Sequence, residues 1–238
     1  MSLAQPLAQG LSELGLKLAP AANERFLAYL DLIQKWNRVY NLTAVREPAK
    51  MLPQHLLDSL AIVPRLSGSS LLDVGSGAGL PGIPVAIAQP RLPVTLLESN
   101  HKKAAFLRQA AIELRLDNVT VACERVEAWE TAQRFDLVVS RALADLAEFI
   151  RLAGRLVAPG GALAAMKGVY PYDEIAQLPP AWSLKEATAL NVPGLRAERY
   201  WVRLEPTGNL GTGAQSGDDA GAVPSGMGTH AGALPPRS

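Results

Sequence analysis

The stretch Ser70–Gly82 reads SLLDVGSGAGLPG. Its first part, Ser70 to Val74, is apolar apart from one acid, the pattern of a strand buried on both faces of a parallel sheet. Gly75, Gly77 and Gly79 follow at alternate positions. LPGIPVAIA then reads as a helix with its prolines in the first turn, where no N–H is required. Strand, glycine turn and helix in that order let a ligand approach the backbone and meet a helix N-terminus.

A dinucleotide turn requires G-x-G-x-x-G directly after the strand. Counted from Gly75, the sixth position is Leu80, whose side chain stands where that fingerprint needs Gly or Ala. Counted from Gly77 the motif fits but starts two residues late. D-x-G-x-G-x-G, with Asp73 two places before the first glycine, fits without adjustment. This resembles motif I of the class I S-adenosylmethionine methyltransferases, whose turn wraps the methionine end of the cofactor. An acid at Asp73 suits an ammonium group, whereas it would repel two phosphates.

Working outward, strand and helix patterns alternate. Val94–Leu97 reads as a second strand ending at Glu98, followed by a helix over about Lys102–Leu114. Val119–Cys123 and Phe135–Val139 read as further strands, with a helix near Leu143–Leu156. Pro159-Gly160-Gly161 then turns into a strand at Ala162–Met166. A short helix near Asp173–Gln177 and two strands, near Ser183–Leu190 and Glu198–Leu204, close the domain. The alternation predicts an α/β fold with a parallel sheet covered by helices on both faces; the methyltransferase resemblance implies a Rossmann-like, mostly parallel sheet with one antiparallel strand near the C-terminal edge.

Residues 1–66 read as an N-terminal helical extension packed on the main domain. Phe26, Leu30, Ile33 and Trp36–Tyr40 recur at helical spacing, and Asn41-Leu42-Thr43 ends that helix. In EPAKMLPQHLLDSL a short helix precedes a second one with Pro53 in its first turn. There His55, Asp58 and Ser59 share a face, a pattern of capping or packing; no fourth ligand lies nearby, so no metal is expected. Residues 67–206 form the cofactor-binding domain. Residues 207–238 are rich in Gly, Ala, Ser and Pro and read as a disordered tail.

Composition narrows the classes. The 238 residues are 48% hydrophobic and 19% charged, as in a globular protein. No apolar run approaches the ~18 residues of a membrane span, and MSLAQPLAQG lacks the basic start of a signal peptide, so a cytoplasmic protein with no membrane partner is expected. Cys123 is the only cysteine, which excludes an internal disulfide. The formal charge of +1 means that any RNA-binding surface is a local patch.

The chemistry-bearing positions follow the strand ends. Glu98 stands about twenty residues after the glycine turn, where an acid accepts ribose hydroxyls. Arg125-Val126-Glu127 follows the third strand at the sheet's carboxyl edge and reads either as a solvated loop or as a border of the adenine, with Glu127 toward its amino group and Val126 supplying a backbone contact. Asp117-Asn118 reads as an ordinary turn. Ser140-Arg141-Ala142 follows the fourth strand, where amino-directed methyltransferases carry N/D-P-P-Y/F; that motif is absent. Carbon-5 pyrimidine methylation needs a thiolate, and Cys123 sits in an apolar run as a buried structural cysteine. Guanine N7 already holds a free lone pair, so its methylation requires alignment and no general base. Arginine is the common partner of guanine O6 and N7; Arg141 therefore suits O6 or the cofactor and leaves N7 free.

The order of NLT, HLLDSL, LLDVGSGAGLPGIPVAI, LLESNHKKAAFL, RVE, SRA, MKG and AERYWV, over about Asn23–Leu204, resembles the ribosomal RNA small subunit methyltransferase G family, also called glucose-inhibited division protein B. The resemblance implies transfer of a methyl group from S-adenosyl-L-methionine to N7 of one guanine in 16S rRNA, in the bacterial cytoplasm; the acceptor is naked rRNA, an assembly intermediate or the small subunit, and a monomer is expected. It implies cofactor contacts at Gly75, Leu80, Val126, Glu127 and Arg141; the residue-level reading adds Asp73, Gly77, Gly79 and Glu98. Arg125, Lys167 and Arg199 fall on basic motif positions and face RNA or the reacting base, with Arg141 as a fourth positioning group. Lys102 and Lys103 add a local basic cluster. The alternative is a methyltransferase for a small molecule, with a closed cap made by the N-terminal helices. A nucleotide-binding regulator or dehydrogenase is disfavoured by Leu80.

Overall fold

The computed structural model describes residues 2–141 and 144–208. Ala142, Leu143 and the expected tail from 209 onward lie outside the described residues. The elements are helices α1 (Ala4–Glu13), α2 (Pro20–Tyr40), α3 (Pro48–Met51), α4 (Asp58–Leu60), α5 (Gly82–Ala88), α6 (His101–Glu113), α7 (Leu146–Ala153) and α8 (Tyr172–Ala176). The strands are β1 (Leu71–Val74), β2 (Val94–Leu97), β3 (Val119–Ala122), β4 (Phe135–Arg141), β5 (Val157–Lys167), β6 (Trp182–Ala189) and β7 (Tyr200–Pro206). A π-helical turn, Leu52–Leu57, joins α3 to α4. The expected helix break at Pro53 is thus absorbed inside one continuous helical segment, because a proline without an N–H is accommodated by a widened turn.

The seven strands lie in the order β3-β2-β1-β4-β5-β7-β6. Neighbours from β3 to β5 pair parallel, while β7 runs antiparallel to both β5 and β6. The α/β class follows the sequence pattern, and the single antiparallel strand matches what the resemblance implies. β5 differs from expectation by running through Pro159-Gly160-Gly161. Phe135 pairs with Val157 and Leu137 with Ala162, so the extra residues of β5 loop out as a bulge with Gly160 at φ 77°.

Successive strand residues face opposite cores. Leu71, Leu96, Leu137 and Val139 pack into one cluster with Phe26, Tyr29, Ile33 and Phe106. Leu72, Leu97 and Val138 pack into the other with Phe149, Leu152 and Trp182. This two-sided burial explains why the strands read as apolar runs. The N-terminal helices close the first core, and α2 contacts both α5 and α6. Asn118, in the expected ordinary turn, has a larger role. Its Nδ2 donates to the carbonyls of Ala86 (3.1 Å), Gln89 (3.2 Å) and Leu92 (2.9 Å), tying the end of α5 to the start of β3. Among the described residues no helix is long and apolar enough to cross a membrane.

Candidate active site

The glycine turn sits at the carboxyl end of β1. The amide of Gly75 donates to Leu97 O (2.8 Å) and that of Gly79 to Ser76 O (2.7 Å), winding the turn against β2. At Gly77, φ is 58° and a Cβ would meet only Gly75 O, at 3.8 Å. The Gly77 backbone is therefore open to a ligand, in a conformation that favours glycine. Gly79 is closed: a Cβ would lie 2.5 Å from Ile83 Cγ1 and 3.2 Å from the Tyr29 hydroxyl. Leu80 is 4% exposed and packs its side chain into the core.

Two carboxylates brace this turn from opposite sides. Asp73 is fully buried. Its Oδ2 accepts from the Gly82 amide at 2.9 Å, holding the first residue of α5, and its Oδ1 has no partner among the described residues. Burial pushes the carboxyl up to about 7, against the opposing pull of the Gly82 amide and the Arg141 guanidinium. Glu98, 6% exposed, accepts from Gly77 N through Oε2 and from Asn100 N through Oε1, both at 2.8 Å. Each of its oxygens keeps a second lone pair.

A cleft of about 160 Å³ opens beside them, lined by Val74, Gly75, Leu97, Ser99, Leu152 and residues 124–127. Val126 is buried there, while Arg125 and Glu127 are exposed. Arg155 anchors the loop, donating from Nη2 to the carbonyls of Val126 (2.7 Å) and Trp129 (3.0 Å).

A second cleft, of about 350 Å³, lies at the ends of β4 and β5 and is lined by Gln54, His55, Asp58, Arg141, Met166, Lys167, Gly168 and Arg199. At its floor Asp58, 1% exposed in its side chain, takes Arg141 Nη1 on Oδ2 at 3.0 Å and Arg199 Nε on Oδ1 at 2.9 Å. Arg141 also donates to Gln54 O. Lys167 Nζ pairs with Glu174 at 2.7 Å and donates to Ala144 O at 2.9 Å. Behind Asp58, Thr43 Oγ1 lies 2.8 Å from His55 Nε2, and Asn37 holds Thr43 by its amide and carbonyl. Burial and then the Arg141 charge lower the His55 pKa, keeping the ring neutral at neutral pH.

A family model described as rRNA small subunit methyltransferase G matches residues 22–202. The chain belongs to that family. It is 55% identical over 204 residues to the ribosomal RNA small subunit methyltransferase G of Laribacter hongkongensis, covering 86% of this chain and 99% of that protein. It is 50% identical over 205 residues to the Neisseria meningitidis protein of the same name, covering 86% and 99%. Two solved structures share its fold. One is glycopeptide N-methyltransferase MtfA, with TM-score 0.54 at 15% identity, over 67% of this chain and 100% of that one. The other is NodS of Bradyrhizobium japonicum WM9 in complex with S-adenosyl-l-homocysteine, with TM-score 0.52 at 17% identity, over 74% and 99%.

The fold of this rRNA small subunit methyltransferase G family member gathers some of the expected residues and separates others. Arg141, Lys167 and Arg199 share the second cleft. Arg125 lies in the first, on the same loop as Val126 and Glu127. Lys102 and Lys103 occupy the first turn of α6, their amides capped by Asn100 Oδ1 at 2.9 and 3.2 Å; neither lines a cleft wall described above. Cys123 corrects the expectation of a buried thiol. It is half-buried, because it stands just past the end of β3 at the sheet's solvated edge, with Sγ 3.2 Å from His101 Nδ1. Two residues escaped the sequence reading: Tyr29, whose hydroxyl donates to Ala78 O at 2.6 Å inside the glycine turn, and Asp58, taken as part of a packing face. The signal available for Asp58 was its charge in an apolar helix, since a buried carboxylate needs cations.

Proposed function

We propose that this enzyme transfers the methyl group of S-adenosyl-L-methionine to N7 of one guanine in the 16S rRNA of the small subunit or an assembly intermediate. The observation that carries this reading is the arginine pair held on Asp58 beside the glycine turn. It supports a basic pocket for a nucleobase next to a turn that fits the cofactor.

The residues present fit that cofactor. Glu98 has lone pairs left for the ribose hydroxyls, and Gly77 offers an open backbone. Asp73 Oδ1, buried without a partner among the described residues, suits an ammonium group. Gly75, Gly79 and the Leu80 backbone complete the turn, and Val126 and Glu127 border the adenine. S-adenosylmethionine supplies an electrophilic sulfonium methyl. The protein's part is alignment. Arg141 and Arg199, fixed by one carboxylate, present guanidinium N–H groups to guanine O6 and the phosphates, leaving the N7 lone pair free. The Asp58 carboxylate is committed to two cations, an arrangement that suits an acceptor with no proton to lose. Lys167, paired with Glu174 in the second cleft, and Arg125, in the first, are further RNA contacts, with Lys102 and Lys103 outside both clefts.

The domain reading fits the same picture: residues 67–206 hold the cofactor, and the helices before residue 67 supply the Asp58 wall. One chain provides both walls of each cleft, so a monomer suffices, working in the cytoplasm where its substrate is assembled. The test uses tritiated-methyl S-adenosylmethionine with small subunits from cells lacking the enzyme, then chemical cleavage at N7-methylguanine. A single enzyme-dependent break is expected. Label elsewhere in the RNA would overturn the N7 assignment, and no label in any rRNA would overturn the substrate.

A further inference from the structure

Three tyrosines cluster beside the second cleft and take no part in the chemistry above. Tyr170 and Tyr172 have ring centroids 4.3 Å apart, and Tyr170 meets Tyr200 edge-on at 5.4 Å and 89°. Tyr172 is 74% exposed and the neighbouring Val169 is 69% exposed. Rings held by one another lose little freedom when a further ring joins the stack. The cluster is continuous with the cleft. Gly168 and Arg199, both in its wall, directly precede Val169 and Tyr200 in the chain, and Tyr200 pairs across the sheet with Lys167.

The charge around the cluster defines the ligand chemistry. Asp173 and Glu198 are exposed beside it, Tyr200 Oη lies 3.5 Å from Glu198 Oε2, and Glu174 is paired with Lys167. Acids at this rim disfavour phosphate, so the surface offers faces of rings and no anion site. Stacking on an aromatic face is tolerant of sequence and needs no cation.

We propose that Tyr172, backed by Tyr170 and Tyr200, is a stacking platform for an unpaired base of the RNA beside the nucleotide in the cleft. This rests on the reading of the chain as an rRNA methyltransferase. The platform orients the strand by gripping a base, while the Asp58-bound arginines act on the target.

The test is filter binding of the full-length protein, with S-adenosylhomocysteine present, to small subunits from cells lacking the enzyme, together with ultraviolet crosslinking of the same complex. Tyr172→Ala is expected to weaken subunit binding about tenfold, with the slope against salt concentration unchanged because no phosphate contact is lost. Tyr172→Phe is expected to keep wild-type affinity, and the peptide containing Tyr172 to crosslink to rRNA. Wild-type affinity in Tyr172→Ala overturns the platform, as does a Phe variant as weak as the Ala variant. A crosslink to a ribosomal protein alone assigns the surface to protein and overturns it too. Failure of the wild-type protein to bind either these subunits or their assembly intermediates overturns the rRNA reading itself, whereas wild-type binding that Tyr172→Ala leaves unchanged overturns the platform alone.

Discussion

Asp58 and Arg199, 141 residues apart in the chain, meet in a 2.9 Å ion pair at the floor of the basic cleft. The same carboxylate holds Arg141, so one buried acid sets the spacing of two guanidinium groups, one at the end of β4 and one just before β7. Asp58→Ala leaves both cations without their anchor. We expect methylation of small subunits at saturating cofactor to fall about 10- to 100-fold, the scale of a misplaced reacting group. Urea unfolding should show about 1–3 kcal/mol of lost stability, less than for a fully dry pair because the arginines are partly solvated. Wild-type single-turnover rates would show that the arginines hold their places unaided.

Glu98 carries two backbone N–H groups and is the strongest candidate for the ribose hydroxyls. Glu98→Ala is expected to weaken S-adenosylhomocysteine binding by about 1–3 kcal/mol in calorimetry, the range for a hydrogen bond to a charged group. Glu98→Gln should not rescue it, since the amide sets a donor against one of the two backbone donors. Unchanged affinity in both variants removes Glu98 from the site.

Tyr29→Phe deletes one oxygen from a fully buried ring and leaves the Ala78 carbonyl without its 2.6 Å donor. The expected cost is about 1–2 kcal/mol of stability. S-adenosylhomocysteine affinity should also fall several-fold, because Ala78 lies between Gly77 and Gly79. A stability loss with full affinity would make the contact purely a clamp between α2 and the turn.

Asp73 gives a pH signature. Burial raises its folded-state pKa to about 7, above its ordinary value near 4 when unfolded. Between these values the folded protein binds more protons than the unfolded chain, so the contribution of Asp73 to stability falls as pH rises from about 4 to 7 and is flat above. Relative to Asp73→Asn, wild-type stability should drop by roughly 2 kcal/mol between pH 5 and pH 8 in parallel urea titrations. A pH-independent difference would mean that the carboxyl is ionised throughout.

Local patterns carried most of the fold. The apolar runs at Leu71–Val74 and Val94–Leu97, the spaced glycines and the acid at Glu98 are each legible within a few residues, because backbone geometry and two-sided burial act locally. The same holds for the Rossmann-like order of strands and helices. The bulge in β5 was less legible, since nothing in Pro159-Gly160-Gly161 distinguishes a turn that ends a strand from one that swells inside it. Cys123 reads as buried because its run is apolar, but β3 is the edge strand of the sheet and none of its residues is fully buried; strand order, set by distant pairings, decides that.

The sequence alone determined the class of ligand turn, the α/β architecture and the family resemblance, all of which rest on residues close together along the chain. Only the tertiary structure decided that Asp58 joins Arg141 to Arg199, that Tyr29 reaches Ala78, and that Tyr170, Tyr172 and Tyr200 share one surface. These are pairings across 83, 141 and 49 residues in the first two cases, made by strand order and helix packing. Charge and hydroxyl find their partners there because burial penalises each of them left alone, while the tyrosine rings meet at the surface because the fold brings residues 170–172 beside β7.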